Sequence, residues 1–571
     1  ERFDERDQPQ QFKMKVCVVG AGVAGLQTAQ VLSENDAHDV IVFDKADGPG
    51  GVWRENYDGY ALQVPNELYE FAGGTSNSGM FRPQLDATFP SGPATQDYIL
   101  DFIAATGLAK SKTCSLKYGE AVVNIKKGSN SMWSVSTSKG TYAFDYVVVC
   151  TGMYHLAQTP KFVSDFAAAQ NNGCTLLHSS ELLCAKDQVM GKKHVAVVGG
   201  GKSAVDVAVA CAKAGVDTTL LMREMHWPVP RKILFLIPFQ WGTYSRLGHF
   251  LLPAHWKNMH DNGDMYGKVE SFMHALIAPV KWLVWRLLEV VFAWQFGLHA
   301  FKKCARVKGD AFPKARMEVD LFNGGQILTY EFRDMLLGGK SKKEDTSVGE
   351  LKMVVARDCA GALKDLEGVD CVVSATGFKK SYDMFAPDVL DKLDLQSDGL
   401  WLYKNVIPTG VEGLAFVGSE VSTFNNILTQ FVQAKWLSFW LSDKMNHMTR
   451  VTSDEMCEYV ACDKKWKRGW MHETSHRASL TQLHMTRYHD LLLQDFLVPS
   501  QHRLPKTKAW EWLIPLTARD FAFLSDVQPA ATASACAAEG EKPKAKALVS
   551  PTSTHAPPSR DASTDEIVMG A

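Results

Sequence analysis

The chain has 571 residues, of which 46% are hydrophobic and 22% are charged, and its formal net charge is −2. The length predicts two or more domains, and the composition is typical of a globular protein. The near-neutral charge argues against nucleic acid as a partner. The 12 cysteines are scattered without metal-ligand spacing, so we expect reduced thiols, no metal site and a cytoplasmic protein.

A glycine-rich loop follows the first predicted strand, after a charged N-terminal run without an apolar signal segment. In KVCVVGAGVAGLQTAQVL, Gly20 permits a tight turn, Gly22 lets the backbone approach a pyrophosphate, and Gly25 lets the helix pack on the strand. The helix N-terminus attracts the phosphates. The next strand, DVIVFDK, ends at Asp44 and Lys45, and Asp44 lies about 20 residues past the loop, where an acid binds ribose hydroxyls.

A second segment, KHVAVVGGGKSAVDVAVACAKAG, repeats the pattern of strand, loop and helix. Its predicted nucleotide-contacting residues are Gly199, Gly201, Lys202, Ser203 and Ala204. The following strand ends at Arg223 instead of an acid, which suits a 2′-phosphate and favours NADPH over NADH. One site for free ribose hydroxyls and one for a 2′-phosphate together predict FAD and NADPH as cofactors.

Strand and helix patterns alternate along the chain, with further buried strands in FDYVVVCTGMY, VDCVVSATGF and GLAFVGSE. We therefore predict an α/β fold with two dinucleotide-binding, Rossmann-like domains, doubly wound sheets, a helical hydrophobic insertion and a C-terminal helical appendage. The predicted boundaries are an N-terminal tail at 1–13, the FAD-binding domain at 14–190 and 369–445, the NADPH-binding domain at 191–368, the appendage at 446–527 and a disordered tail at 528–571.

The insertion, at about 232–320, is crowded with Trp, Phe and Leu. Its longest apolar run, IAPVKWLVWRLLEVVFAWQFGL, has 22 residues but is interrupted by Lys281, Arg286 and Glu289. Because a membrane-spanning helix needs about 20 mostly uncharged residues, we expect this run either to pack against the domain or to lie along a membrane surface. It could roof the active site and form an apolar substrate route, or it could be core without substrate contact.

These motifs together resemble the class B flavin-dependent monooxygenases, including the flavin-containing monooxygenases, the plant YUCCA-type enzymes and related fungal and protist sequences. The resemblance runs from about Lys15 to Asp443, excluding much of 232–320. It is carried in order by GAGVAG, GPGGVWREN, ALQVPNELYEF, FPSGPATQDYILDFI, GGGKSAVD, REMHWPVPR, SATGF, FVGSE and VQAKWLS.

The resemblance implies further site residues. Near the flavin it places Gly51, Trp53, Thr376, Gly377, Gly418 and Gln433. Where the family carries an active-site Asn, or His in YUCCA-like members, this chain has Gln63, with Asn66 three residues on; either is a candidate for bonding the flavin or the activated oxygen. The family's Phe-x-Gly-x-x-x-His fingerprint is altered to NNGCTLLH, and we interpret His178 as a linker residue that couples domain orientation to NADP binding.

The activity that the resemblance implies is an NADPH-dependent monooxygenation. NADPH reduces FAD, O2 forms a C4a-hydroperoxyflavin, and one oxygen atom passes to a small nitrogen- or sulfur-containing nucleophile or to a carbonyl substrate. A Baeyer–Villiger monooxygenase and an uncoupled NADPH oxidase producing hydrogen peroxide use the same parts, and both stay open. A disulfide reductase needs a dithiol after the first loop, where 52–80 has no cysteine. A flavin-holding scaffold without turnover is a further alternative.

Overall fold

The computed structural model describes residues 13–72, 88–128, 130–154, 156–170, 173–251, 272–323, 326–338, 348–419, 426–442, 451–470, 485–497, 512–527 and 529. The predicted tails at 1–13 and 528–571 lie outside the described residues, apart from Lys13 and Pro529. Parts of the predicted insertion and of the predicted appendage also lie outside them.

Twenty strands are present in the described residues. In chain order they are β1 (Lys15–Val19), β2 (Asp39–Phe43), β3 (Cys114–Lys117), β4 (Val122–Lys127), β5 (Trp133–Thr137), β6 (Thr141–Phe144), β7 (Tyr146–Val149), β8 (Leu156–Ala157), β9 (Thr175–His178), β10 (His194–Val198), β11 (Asp217–Met222), β12 (Pro228–Val229), β13 (Lys232–Ile233), β14 (Ile237–Pro238), β15 (Val307–Gly309), β16 (Gln326–Ile327), β17 (Leu351–Val355), β18 (Cys371–Ser374), β19 (Phe378–Lys379) and β20 (Leu414–Phe416).

The helices named below are numbered in the same way. They are α1 (Val23–Ser33), α2 (Gly92–Thr106), α3 (Lys161–Ala169), α4 (Ala185–Val189), α5 (Lys202–Lys213), α6 (Phe239–Thr243), α7 (Arg246–Leu251), α8 (Ala278–Phe296), α9 (Leu298–Phe301), α10 (Met317–Asn323), α11 (Tyr330–Leu336), α12 (Cys359–Lys364), α13 (Pro387–Leu393), α14 (Asn426–Leu441), α15 (Ser453–Trp470) and α16 (Met485–Phe496).

Two parallel sheets organise the molecule, which confirms the predicted fold class. The first has the order β20-β7-β1-β2-β3 and the second has the order β15-β17-β11-β10-β18-β9. Every pairing within these two sheets is parallel. Their central strands are apolar because both faces are covered, as the continuous Val-rich sequences of β1, β7 and β10 predict. Helices cover both faces of the second sheet, whereas the first sheet has helices on one face and the antiparallel β4–β5–β6 sheet on the other. Each sheet begins one strand–loop–helix unit, β1–α1 and β10–α5.

The two sheets divide the chain differently from the predicted boundaries at 190 and 369. Both β9 and β18 lie in the second sheet, where Thr175–His178 pairs with Cys371–Ser374. The chain therefore enters the second sheet at Thr175 and leaves it at Ser374. The two crossings run side by side, since β8 and β19 form a small antiparallel pair. A spacing argument could not find this pair, because its strands are only two residues long.

The insertion is largely helical in its described part. Helix α8 begins with a Pro in its first turn and ends at Gly297, whose left-handed φ of 73° allows the chain to turn into α9. No helix within the described residues is long and apolar enough to cross a membrane.

The predicted C-terminal appendage packs on the first sheet's helices. Residues of α14 and α16 share one hydrophobic core with β1 and α1, and Ala518–Ser525 adds a 3₁₀ turn to it. This last turn reaches back to the segment after Trp53. Arg519 pairs with the buried carboxylate of Glu70, and the Ser525 hydroxyl donates to the Ala72 carbonyl.

Candidate active site

The first glycine loop has the tight geometry that its three glycines predict. Gly20 has a φ of 108°, and a Cβ there would lie 2.6 Å from the Cys150 carbonyl oxygen. A Cβ on Gly25 would lie 1.8 Å from the Gly20 carbonyl oxygen, so α1 can pack this close only with glycine. Gly22 is the N-cap of α1 and makes no side-chain cap bond, which leaves the first helical N–H groups directed at a ligand site.

The acid after β2 lies against this loop. Asp44 accepts a hydrogen bond from the Ala21 N–H at 2.6 Å and another from the Ala46 N–H at 2.8 Å. The Gly50 N–H donates to the Ala21 carbonyl, so the loop is held on both sides. Lys45, the next residue, is exposed. Asp44 is therefore more than a solvated strand-end residue: it fixes the loop at the edge where a ribose would lie.

The segment after β2 closes over the loop. A Cβ on Gly22 would lie 3.7 Å from the Gly51 Cα, so the backbones of the two segments approach each other closely. Trp53 is fixed two residues on: its indole N–H donates to the Tyr69 hydroxyl at 2.8 Å, and its ring stacks on Tyr60 at 6.0 Å. Burial raises the pKa of the Tyr69 hydroxyl, which keeps that acceptor neutral.

The two candidate catalytic side chains are not equivalent. Gln63 is exposed between Leu62 and Val64, which are buried. Asn66 is half-buried and begins a 3₁₀ turn, where its side-chain oxygen accepts the Glu67 N–H at 2.8 Å. The structure thus brings Asn66 onto the ordered turn that leads to Tyr69 and leaves Gln63 on the surface.

The second loop repeats this geometry in the second sheet. A Cβ on Gly199 would lie 2.2 Å from the Ala375 carbonyl oxygen, whereas a Cβ on Gly201 would meet nothing within 4 Å. Gly201 is the N-cap of α5, again without a side-chain cap bond. Ala204 is buried and takes the third position of the motif, while Ser203 is half-buried in the first turn.

Lys202 has a protein partner in this structure. Its ammonium group contacts both carboxylate oxygens of Asp206, one helical turn later. Asp206 also accepts a hydrogen bond from the Tyr57 hydroxyl at 3.1 Å. Tyr57 follows Trp53 in the first unit, so this contact joins the flavin-side segment to the helix of the second loop. Sequence reasoning missed Tyr57 and Asp206, since no motif spacing relates positions 149 residues apart.

Two arginines lie near the second loop. Arg223 is exposed directly after β11, as predicted for a 2′-phosphate contact. Arg231 was not predicted: its guanidinium carbon lies 3.8 Å from the centre of the Phe89 ring, and its Nε is buried without a hydrogen-bond partner in the described structure. Burial lowers the pKa of Arg231, and the nearby Asp206 carboxylate opposes that shift. The second Arg of REMHWPVPR is the signal that could have found it.

The linker between the sheets carries the predicted His178 and Gly377. Burial lowers the pKa of His178, and its Nε2 lies 3.0 Å from the Gly377 carbonyl oxygen. Gly377 has a left-handed φ of 84°, and its carbonyl also accepts the Gln158 N–H. The Thr376 hydroxyl contacts the Gln158 carbonyl. His178, Thr376 and Gly377 therefore join both crossing strands, as the linker interpretation of His178 expects.

Gly418 lies two residues after the end of β20, next to the first loop. The Gly418 N–H donates to the side-chain oxygen of Gln433 at 3.0 Å, and the Gln433 amide donates to the Tyr488 hydroxyl at 2.9 Å. A Cβ on Gly418 would lie 2.8 Å from the Ala24 Cβ, so this turn touches the N-terminal end of α1. Gln433 is buried and holds this turn in place.

The donor set fits two dinucleotides. Each loop offers an uncapped helix N-terminus beside an open glycine, the first with an acid at the strand end and the second with an arginine. These features match a nucleotide with free ribose hydroxyls at the first loop and one with a 2′-phosphate at the second.

Comparison with known proteins gives the same picture. Residues 17–233 match a family model described as pyridine nucleotide-disulphide oxidoreductase. The chain is 26% identical over 467 residues to a probable flavin-containing monooxygenase 1 of Arabidopsis thaliana, covering 75% of this chain and 82% of the relative. It is 27% identical over 220 residues to a Baeyer-Villiger monooxygenase of Streptomyces coelicolor, covering 38% of this chain and 39% of that relative.

A solved structure of cyclohexanone monooxygenase with bound epsilon-caprolactone superimposes with a TM-score of 0.56 at 15% identity, covering 84% of this chain and 97% of that chain. In sequence and in fold, the chain is similar to class B flavin monooxygenases. This enzyme is a flavin- and NAD(P)H-dependent monooxygenase. The matched residues of the family model include both glycine loops. The described cysteines of this monooxygenase are all free, and residues 52–80, after the first loop, contain no cysteine.

Proposed function

We propose that this monooxygenase uses FAD and NADPH to place one oxygen atom of O2 on a small nitrogen- or sulfur-containing nucleophile or on a carbonyl substrate. The observation that carries the proposal is the hydrogen bond from Tyr57 to Asp206, which joins the segment after Trp53 to the helix of the second loop. A hydride donor at that loop would then face a flavin held by the first loop, as direct transfer requires.

The residues of the chain bind and enclose the cofactors. The N-termini of α1 and α5 take the two pyrophosphates, Asp44 takes the ribose hydroxyls of FAD, and Arg223 takes the 2′-phosphate of NADPH. Bound FAD supplies hydride acceptance and oxygen activation. Trp53, stacked on Tyr60 and bonded to Tyr69, excludes water from the flavin side, because a dry site retains the activated oxygen.

Asn66 is the proposed polar contact to the reacting group. It lies on an ordered turn that the buried Tyr69 continues, whereas Gln63 is exposed. Replacing Asn66 by Ala should raise the peroxide formed per NADPH oxidised, and Gln63→Ala serves as the matched control. Equal effects of the two changes would refute the assignment of Asn66.

Stopped-flow absorbance of the FAD-loaded protein tests the proposal. The enzyme is reduced anaerobically with NADPH, or with NADH for comparison, and then mixed with O2. We expect faster reduction by NADPH and a long-lived near-ultraviolet absorbance before the oxidised flavin spectrum returns. If NADPH does not reduce the flavin, the second loop is not a working site and the proposal fails.

The same measurement separates the alternatives. Immediate return of oxidised flavin with stoichiometric hydrogen peroxide would identify an uncoupled NADPH oxidase, which the exposed position of Gln63 favours. Ester formation from ketones, measured in the products, would identify Baeyer–Villiger activity. The partial similarity to the Streptomyces enzyme favours that second outcome.

We infer that the enzyme works in the cytoplasm. The described cysteines form no disulfide, and burial raises the pKa of the Cys114 and Cys150 thiols to about 12, which keeps both unreactive. Purification under non-reducing conditions with thiol titration tests this: finding fewer titratable thiols than the sequence contains after denaturation would contradict it.

A further inference from the structure

Helix α8 of the insertion is built with its polarity reversed. Five of its apolar residues are exposed and recur at helical spacing on its outer face: Val280, Leu283, Leu287, Val290 and Trp294. Val290 is 67% exposed and Trp294 is 63% exposed. A surface helix of a globular protein normally presents charged residues on this face and apolar ones inward.

The charged residues of α8 lie on its other side and are satisfied within the protein. Lys281 is fully buried with its ammonium group 2.6 Å from the His274 imidazole. Arg286 pairs with Glu289 at 2.8 Å and also contacts the buried Glu318 carboxylate. The three charged side chains of α8 therefore have partners within the protein, while six of its large apolar side chains, including Trp282, are exposed.

Neighbouring segments extend the apolar face. The turn Leu234–Ile237 is exposed along its whole length, with Leu236 at 77%, and the Phe235 ring lies 6.0 Å from the Trp294 ring. Trp241, shortly after this turn in the sequence, is also exposed. The Leu516 N–H donates to the Tyr244 carbonyl, close in sequence to the exposed run Trp512–Ile514. We call these segments and the outer face of α8 the apolar ridge.

We propose that the apolar ridge is a docking surface for a lipid bilayer, on which α8 lies flat. The ridge has four exposed tryptophans, which suit the headgroup level, where amphipathic rings are favoured: Trp241, Trp282, Trp294 and Trp512. An exposed apolar surface that combines a helix face with a neighbouring turn is typical of an interaction site.

Charge at the rim of the ridge favours a bilayer over another protein surface. Lys232 precedes the turn, and Lys302 and Lys303 follow the end of α9; all three are exposed. The carboxylates described nearby are bound to arginines, Glu289 and Glu318 to Arg286 and Asp334 to Arg333. The rim is therefore net positive, which complements anionic phospholipid headgroups.

The shape of the ridge argues against a second copy of the chain as its occupant. A helix pair buries a narrow seam of two positions per heptad. Here the exposed face also includes Trp282 at one edge of the helix and the turn at Leu234–Ile237, outside the helix altogether. A broad surface of this kind suits a planar partner.

Vesicle co-sedimentation of the full-length, FAD-loaded enzyme tests the proposal. Vesicles of phosphatidylcholine alone are compared with vesicles that also contain phosphatidylserine. We expect binding to both, stronger with phosphatidylserine, and a weakening of that difference as salt rises. Leu287→Glu and Val290→Glu should each lower the partition coefficient at least about tenfold, since each places a charge in the apolar layer.

Matched controls come from exposed apolar residues elsewhere. Leu100→Glu on α2 and Val123→Glu on β4 should leave vesicle binding unchanged. Val290→Ser is a milder second variant, and circular dichroism checks that each protein is folded. Lys303→Glu should remove the preference for phosphatidylserine.

Three results would overturn the proposal. The enzyme could remain in the supernatant with both vesicle types, or the ridge variants could bind as tightly as the control variants. The third result is self-association through the ridge. Light scattering would then show a concentration-dependent dimer that Leu287→Glu abolishes, and the parent enzyme would not bind vesicles.

Discussion

Gln433 tests the link between the C-terminal helices and the flavin side most directly. Its amide holds the Gly418 N–H and the Tyr488 hydroxyl together in the core. Gln433→Ala removes two buried hydrogen bonds, at about 1 kcal/mol each, and leaves the Gly418 N–H without this partner, at about 1–3 kcal/mol more. Tyr488 keeps its donation to the Lys404 carbonyl, so its own loss is small. These hydrogen-bond losses give an expected cost in unfolding free energy of about 3–5 kcal/mol.

The assay is thermal unfolding with and without FAD. A loss of this size lowers the midpoint of the affected transition by roughly 10 °C. Because Gly418 touches the N-terminal end of α1, the stabilisation that FAD adds should also shrink, reflecting a weaker FAD affinity. Gln430→Ala is the matched control: it is the same substitution one turn earlier, where the side-chain oxygen has no hydrogen-bond partner within the described structure.

The reasoning is refuted if the Gln433→Ala midpoint lies within about 2 °C of the parent enzyme, because two buried hydrogen bonds cannot then be contributing as stated. Equal destabilisation by Gln430→Ala would locate the effect in loss of helix packing. A lowered midpoint with an unchanged FAD increment would separate the structural role of Gln433 from the flavin site.

Three further outcomes follow from the geometry. Arg223→Gln should raise the Kd for NADP+ about ten- to a hundredfold and leave that for NAD+ nearly unchanged, which titration calorimetry measures. Gly199→Ala should lower the unfolding free energy by about 2–4 kcal/mol in a denaturant melt, because its Cβ would lie 2.2 Å from a carbonyl oxygen. A Cβ at Gly201 meets nothing within 4 Å, so Gly201→Ala should keep the unfolding free energy and weaken only nucleotide binding. Burial lowers the pKa of His178 in the fold, so its neutral form is favoured there and stability should fall as the pH drops below about 6.5. In a pH series of melting midpoints, His178→Asn should flatten that part of the curve. An unchanged slope would contradict this expectation.

Local chemistry made the two nucleotide loops predictable. Glycine is required at positions 20, 25 and 199 because a Cβ there would collide with backbone atoms of the same loop or of the neighbouring strand. The sequence around each glycine has the pattern of a strand, a turn and a helix, which makes the loop recognisable. Asp44 and Arg223 were found for the same reason, because the end of the second strand is a fixed distance from the loop. The predicted fold class followed from the alternation of these units.

Long-range contacts could not be predicted in this way. The Tyr57–Asp206 bond, the Arg519–Glu70 pair and the pairing of β8 with β19 join positions far apart in sequence, and no periodicity relates their partners.

Composition did predict that the insertion is apolar, but it could not tell which side of α8 faces water. In the structure Arg286 pairs with Glu289 and contacts Glu318, and apolar residues of α8 are exposed. The orientation of a helix depends on what packs beneath it, and here the buried carboxylate of Glu318 is one partner of Arg286. Glu318→Gln should therefore loosen α8 before it affects either nucleotide loop.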